Sequence, residues 1–285
     1  MEIQQTTPTQ QAVDCAHASG AFSEQFLRGL VEPELGHRHR LALCDGACVG
    51  LWATDGTTAE LAVDPAYRRR GIATALLRAE PLPVWLHQQG ADAEPAHALA
   101  DALGWQPVRT LQVLALSDPQ LRDAAEGAAA PEGYRRLNLT ESCTRWGSDH
   151  VEEAWLAVNN RAFDWHPEQG GWTRADLRRA MDADWFDPAD VLLLWQEDTG
   201  ELAGFHWTKW HGEGLGEVYV IGLDPDFQGR GLAGPLLRLG LARQVARGAR
   251  RVILYVEADN AAALKVYAAQ GFVVAEEHVL FAPKD

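Results

Sequence analysis

A chain of 285 residues, 47% apolar and 23% charged, has the composition of a globular protein long enough to bury a core in each of two domains. Its formal net charge of −15 argues against a nucleic-acid partner, since phosphate backbones select basic patches, but leaves room for an anionic small ligand beside Arg68, Arg69 and Arg70. No apolar run approaches the roughly 20 residues that span a bilayer, and the polar start, MEIQQTTPTQQ, has no basic-then-apolar leader, so no membrane contact and a cytoplasmic location are expected.

In chain order, "FSEQFL" (22–27) reads as helical, and "LALCDGACVGLWA" (41–53) as two strands around an Asp45-Gly46 hairpin turn. Cys44 and Cys48 flank that turn and read as small strand residues; the four cysteines form no CxxC pair, and no metal is expected. Next come a strand, "AELAV" (59–63), a corner, "DPAYRRRGIA" (64–73), a helix opening at "GIATALL", a strand, "PVWLH" (83–87), and a helix closing on Gly-Trp, "AHALADALGW" (96–105). A last strand follows, and then "LSDPQLRDAAEGAAAPEG" (116–133), rich in Ala, Asp, Glu, Gly and Pro as a linker should be.

The same order then returns. "VLLLWQEDTGELAGFHWTK" (191–209) reads as a hairpin and "GEVYVIGL" (216–223) as a strand. The corner "DPDFQGRGLA" (224–233) starts 160 residues after the first, at 224 against 64. A helix, the strand "RVILYVE" (251–257), a helix closing on Gly-Phe, "AALKVYAAQGF" (262–272), and a last strand complete the copy. The expected organisation is two tandem α+β domains with mixed sheets, at 1–117 and 133–285, with 118–132 between them. The helical lead-in "DHVEEAWLAVNNRAF" (149–163) and the aromatic loop "DWHPEQGGW" (164–172) have no clear equivalent in the first half.

A Gly-rich turn opening a helix offers free backbone N–H groups and the positive end of a helix dipole, which suits an anion such as a pyrophosphate. It also serves as a turn with no ligand. "GRGLAG" (229–234) satisfies the dinucleotide pattern G-x-G-x-x-G, but Asp-Pro-Asp-Phe-Gln separates it from the strand, and the first copy replaces two of the glycines with Arg69 and Thr74. The copies share [Gln/Arg]-x-x-Gly-x-Ala after a strand and Asp-Pro.

That shared pattern resembles the signature of the GNAT acyltransferases, and the resemblance covers both halves. It implies the mixed-sheet GNAT fold in two tandem copies, and acetyl-CoA as acyl donor. Its pyrophosphate would lie on Gln228, Gly229, Arg230, Gly231, Leu232, Ala233 and Gly234, and in the first half on Arg68, Arg69, Arg70, Gly71, Ile72 and Ala73. The strand before the corner would splay at a bulge, where Ile221, Gly222 and Leu223, or Leu61, Ala62 and Val63, hold the acyl carbonyl and pantetheine. Asn260, Ala261, Ala262, Ala263, Leu264 and Lys265 would follow the cofactor arm, with Tyr267 facing the sulfur.

Acyl transfer to an amine needs an unprotonated nitrogen, a polarised carbonyl and a proton for the leaving thiolate. Glu217 is the candidate base, directly or through water, and Tyr267 the candidate acid; the bland alternatives are a solvated strand-start carboxylate and a core aromatic. Aligning Gly104-Trp105 on Gly271-Phe272 puts Ala100 opposite Tyr267 and Ala93 opposite Asn260, so the first half is expected to do no chemistry.

"NRAFDWHPEQGGW" (160–172), "FHWTKWH" (205–211) and "GEVYVIGLDPDFQGRGL" (216–232) closely resemble one tandem-domain branch of the family. The acceptor of that branch is the cysteinyl amine of cysteinyl-glucosaminyl-inositol. The resemblance implies an acceptor site of Glu168, Lys209, Glu217 and Tyr255, with Glu24 reaching in from the other domain, in a monomer. His166, His206 and His211 fit no standard metal spacing. Trp165, Trp172, Trp207 and Trp210 serve equally as site walls or core. Another amine acceptor, such as an aminoglycoside or a protein N-terminus, and a non-enzymatic acyl-CoA sensor remain as rival readings.

Overall fold

Alternating burial marks strands, and burial near every third or fourth residue marks helices. The computed structural model describes residues 2–6, 9–88, 93–165 and 169–284. The chain divides into two compact units, Met1–Gln112 with Ala275–Asp285, and Val113–Val274.

Unit 1 runs β1 (Glu2–Thr6), α1 (Gln10–Ser19), α2 (Glu24–Val31), β2 (Arg38–Cys44), β3 (Ala47–Thr54), β4 (Ala59–Val63), α3 (Ile72–Ala79), β5 (Val84–Gln88), α4 (Ala93–Leu103) and the first part of β6 (Trp105–Ser117). The β2–β3 turn is the expected two-residue hairpin, with Asp45 at φ 51° and Gly46 at φ 80°. β4 and β5 are parallel, as their connection through α3 requires, and the β1–β2, β2–β3 and β3–β4 pairs are antiparallel. One core packs Trp52, Leu76, Leu77 and Phe281, and a second packs Phe26, Leu30, Leu41 and Leu51 beneath α1 and α2.

Unit 2 continues with α5 (Gln120–Ala125), β7 (Tyr134–Asn138), α6 (Leu139–Trp146), α7 (Ser148–Ala162), α8 (Arg174–Met181), β8 (Val191–Gln196), β9 (Leu202–Gly212), β10 (Leu215–Leu223), α9 (Ala233–Ala246), β11 (Arg251–Glu257) and α10 (Ala261–Ala269). Its strands lie in the order β6-β11-β10-β9-β8-β7. α7 buries Val151, Trp155 and Val158, one helical face, and Trp155 meets Phe205 and Trp207 of β9 edge-on.

The observed units differ from a sequential division in two ways. The last strand, β12 (Val273–Pro283), pairs antiparallel with β5 from Glu277 to Phe281, so the end of the chain completes the sheet of unit 1. The segment 118–132 holds α5, whose Leu121 is fully buried in the core of unit 2, so its polar composition conceals a packed helix. Unit 1 also has a helical lead-in after all. α1 and α2 precede β2 as α6, α7 and α8 precede β8, but α1 buries only Ala12 and Ala16, too little apolar bulk to stand out as a pattern. Among the described residues no helix is long and apolar enough to cross a membrane.

Candidate active site

The strand pairing sets the geometry. β10 pairs with β11 only from Leu215 to Val218, opposite Arg251 to Leu254. Beyond Val218 the strands part, leaving Tyr219 to Leu223 unpaired on that side. On the other side β10 stays paired with β9 through Leu223, but the ladder slips between Val218 and Val220. Tyr219 is therefore a β-bulge, the device that bends a strand away from its neighbour. Ile221, Gly222 and Leu223 line the resulting gap.

At the end of β10 the chain turns through a short 3-10 segment, Pro225–Phe227, capped by the Asp224 carboxylate accepting from Asp226 N at 2.9 Å. Arg161 from α7 braces the turn, donating to Asp224 at 2.8 Å and Asp226 at 2.9 Å. Gly229 and Gly231 sit at φ +73° and +76°, left-handed conformations that glycine adopts without strain. No side chain caps α9, so its first N–H groups face the turn without a side-chain acceptor. Arg230 is held over the Phe227 ring at 4.6 Å and donates to Asp226 O at 2.7 Å. An uncapped helix start, two left-handed glycines and a parted strand form a cradle suited to an extended anion.

Glu217 stands just before the gap, directly opposite Lys209 on β9 and Ile253 on β11. Alternation puts Lys209, Glu217 and Tyr255 on one face of the sheet. Glu217 and Lys209 are each 7% exposed, whereas Tyr255, the first β11 residue beyond the paired stretch, is 46% exposed. The Lys209 ammonium lies over Trp185, 4.5 Å from the ring centroid, and 5.5 Å from that of Tyr219. Glu217 Oε2 shares a 2.6 Å hydrogen bond with His211 Nε2. Behind both strands, fully buried Gln244 of α9 donates to Lys209 O at 3.0 Å and Glu217 O at 3.2 Å. Gly216 makes room for it, since a Cβ there would fall 2.4 Å from Gln244 Oε1.

Tyr267 is on the other face, buried with Val218, Leu254, Val256 and Phe272. Burial pushes its hydroxyl up to about 12, which keeps it a proton donor at neutral pH. Asn260 caps α10, its Oδ1 accepting from Ala263 N at 3.1 Å. Trp207 is core, while Trp165 is 57% exposed. His206 is wholly buried against Leu236 O at 3.1 Å, with its ring where a side chain at 240 would go, which accounts for Gly240. Glu168 and His166 lie outside the described residues. Glu24 opens α2 in unit 1 and is exposed.

Unit 1 repeats the corner. Asp64 caps Ala66 N at 2.8 Å, Arg70 stacks on Tyr67 at 4.9 Å and donates to Ala66 O at 3.1 Å, and Gly71 takes φ +78° before an uncapped α3. Arg69 occupies the left-handed position of Gly229, at φ +63°. β4 pairs with β5 only at Ala59 and Glu60, so Leu61, Ala62 and Val63 again border a gap. A cavity of about 660 Å³ opens beside them, bounded by Leu61, Arg68, Ala73, Leu99 and Cys48. The β3–β4 ladder, however, carries no slip. Allowing for the residue bulged out at Tyr219, the position of Glu217 falls on Thr58, and Ala100 is packed in the core, 2% exposed.

Known proteins sharpen this geometry. The Acetyltransferase (GNAT) family matches residues 152–272, and a second Acetyltransferase (GNAT) domain matches 36–107. "Mycothiol acetyltransferase" of Corynebacterium efficiens is 52% identical, covering 92% of this chain and 86% of its own. The protein of that name from Mycolicibacterium vanbaalenii is 42% identical, over 94% and 90%. The chain belongs to the mycothiol acetyltransferase family.

Solved structures agree on the fold. A GCN5-related N-acetyltransferase from Sphaerobacter thermophilus superposes with a TM-score of 0.72 at 23% identity, over 98% of this chain and 94% of that one. A tandem GNAT protein from the clavulanic acid pathway superposes at 0.65 and 20% identity over the full length of both. Two GNAT domains on a mixed sheet are thus the architecture. His211 has no recognisable catalytic spacing in the sequence. Its only signal is the Gly-Glu-Gly turn that follows it, with φ of +85°, +50° and +84° at Gly212, Glu213 and Gly214.

Proposed function

We propose that this chain is an acetyl-CoA-dependent N-acetyltransferase that acetylates the cysteinyl amine of cysteinyl-glucosaminyl-inositol to give mycothiol, with the chemistry confined to unit 2. The observation that carries the reaction class is the placement of Glu217 at the point where β10 leaves β11. Membership of the mycothiol acetyltransferase family supports the acceptor.

The cradle fits the donor: backbone N–H groups from Gln228 to Gly234 would hold the pyrophosphate, and Ile221 to Leu223 the pantetheine and carbonyl. Acetyl-CoA, when bound, supplies the thioester acetyl group. Asn260 and the first turn of α10, through Lys265, would border its arm. Glu217 takes a proton from the acceptor ammonium, whose ordinary pKa is about 7.7–8.0. Tyr267, across the sheet, gives its hydroxyl proton to the leaving sulfur. Lys209, Tyr255 and Glu168 of unit 2 are assigned to the sugar–cyclitol acceptor, whose hydroxyls match carboxylates and an ammonium. In unit 1, Arg68 to Ala73 and Leu61 to Val63 would hold a second acyl-CoA without reacting.

Mass-spectrometric turnover with acetyl-CoA and cysteinyl-glucosaminyl-inositol tests the reading. The expected product is heavier by one acetyl group on nitrogen. Binding of the donor with no acetylated product contradicts the acceptor assignment.

A further inference from the structure

The acetyl transfer has a proton to dispose of. An ammonium acceptor loses one proton before its nitrogen bonds the thioester carbon; Tyr267 protonates the departing sulfur, and the second N–H proton restores Tyr267. The balance is ammonium plus thioester giving amide, thiol and one free proton. That proton reaches Glu217 first, yet the Glu217 side chain is only 10% exposed.

Its partner is better placed. The β9–β10 ladder slips a second time, between Leu215 opposite Gly212 and Gly216 opposite Trp210, leaving His211 without an opposite residue. This bulge turns the His211 ring onto Glu217, so that Nε2 lies 2.6 Å from Oε2 while 32% of the side chain remains exposed. An imidazole bridging a nearly closed carboxylate and water can accept a proton on one nitrogen and release it from the other. Lys209, opposite Glu217, has its ammonium over Trp185 and Tyr219 and cannot relay a proton without first giving up its own.

We propose that His211 is a positioning and proton-relay residue, fixing the Glu217 carboxylate and carrying the amine's proton from it to solvent. The inference rests on unit 2 being the acetylating unit.

Steady-state kinetics of His211→Ala and His211→Gln, with and without added imidazole, test it. His211→Ala is expected to lower kcat about 10- to 100-fold, with KM for acetyl-CoA within about twofold. Added imidazole should restore much of that loss and nothing to Glu217→Gln. His211→Gln keeps an N–H for Oε2 but no ring to carry a proton, so it should fall as far as alanine. Wild-type kcat in either variant, or a loss that imidazole leaves untouched in a folded protein, overturns the relay. If the wild type prefers another amine, the acceptor assignment fails and the relay is scored on that amine. If it acetylates none, the proposed function fails and the pairing is judged alone. The ¹⁵N resonance of His211 Nε2 must then move on Glu217→Gln, and an unmoved resonance overturns the pairing.

Discussion

The two units carry the same corner and differ in the strand that leads into it. Asp64 and Asp224 cap alike, Arg70 and Arg230 stack alike, and Gly71 and Gly231 take the same left-handed turn. In unit 2 the leading strand is bulged at Tyr219, and its partner at His211, on either side of Glu217. In unit 1 the matching ladder is regular, and Thr58 and Ala100 stand where Glu217 and Tyr267 do. On the proposed reading an anion cradle is separable from acyl-transfer chemistry: the turn would provide the first, and two single-residue slips with two proton-handling side chains the second. The 660 Å³ cavity beside the corner of unit 1 leaves room for a ligand there, and neither Thr58 nor Ala100 offers the carboxylate or phenol proposed for unit 2.

The sharpest way to break this comparison is Glu217→Gln. It is expected to lower kcat by about 10³-fold, whereas Thr58→Val in unit 1 leaves kcat within about twofold; steady-state kinetics separate the two. Acid comes next and acts on both units. His206, wholly buried, and His39, 0% exposed, are each pushed down to about 4 by burial, with the charge of His37 adding to the effect on His39. The unfolded chain binds a proton there near 6.5 and the folded chain does not. Stability is therefore complete above about pH 6.5 and falls as the pH drops toward 4, by on the order of 3 kcal/mol for His206. Urea unfolding at pH 7.5 and pH 5 measures the fall. His206→Gln should remove its share of the fall and leave the part due to His39.

Tyr267→Phe keeps the ring packed and removes the proton, so kcat should drop about 10²-fold with folding unchanged by calorimetry. Gly231→Ala forces a side chain into the left-handed region at a cost of about 1–2 kcal/mol. It should raise KM for acetyl-CoA by roughly tenfold, while Gly71→Ala, under equal strain, leaves turnover alone. Arg69→Gly relieves similar strain against the added freedom of glycine in the unfolded chain. A gain of less than about 1 kcal/mol by urea unfolding is the expected outcome.

What the sequence made legible is local. Asp-Pro, a left-handed glycine and a helix start are contiguous, and β4 and β11 fall on the residues read as strands because their alternation is complete within them. What stayed hidden depends on partners distant in the chain. The bulges at 211 and 219 exist only in the register of β9 against β10, which no single strand encodes. β12 pairs with β5 rather than closing the sheet of its own half, a choice that apolar alternation cannot express. α5 was masked by alanines and charges around one buried leucine.

The most direct test of the central claim combines Glu217→Gln and Tyr267→Phe in one chain with the corner of unit 1 intact. Its acetyl-CoA binding and its turnover of cysteinyl-glucosaminyl-inositol are then measured together. The account predicts that acetyl-CoA still binds while acetylated product falls at least about 10³-fold. Turnover within tenfold of the wild type would contradict it and place the chemistry outside the Glu217–Tyr267 pair.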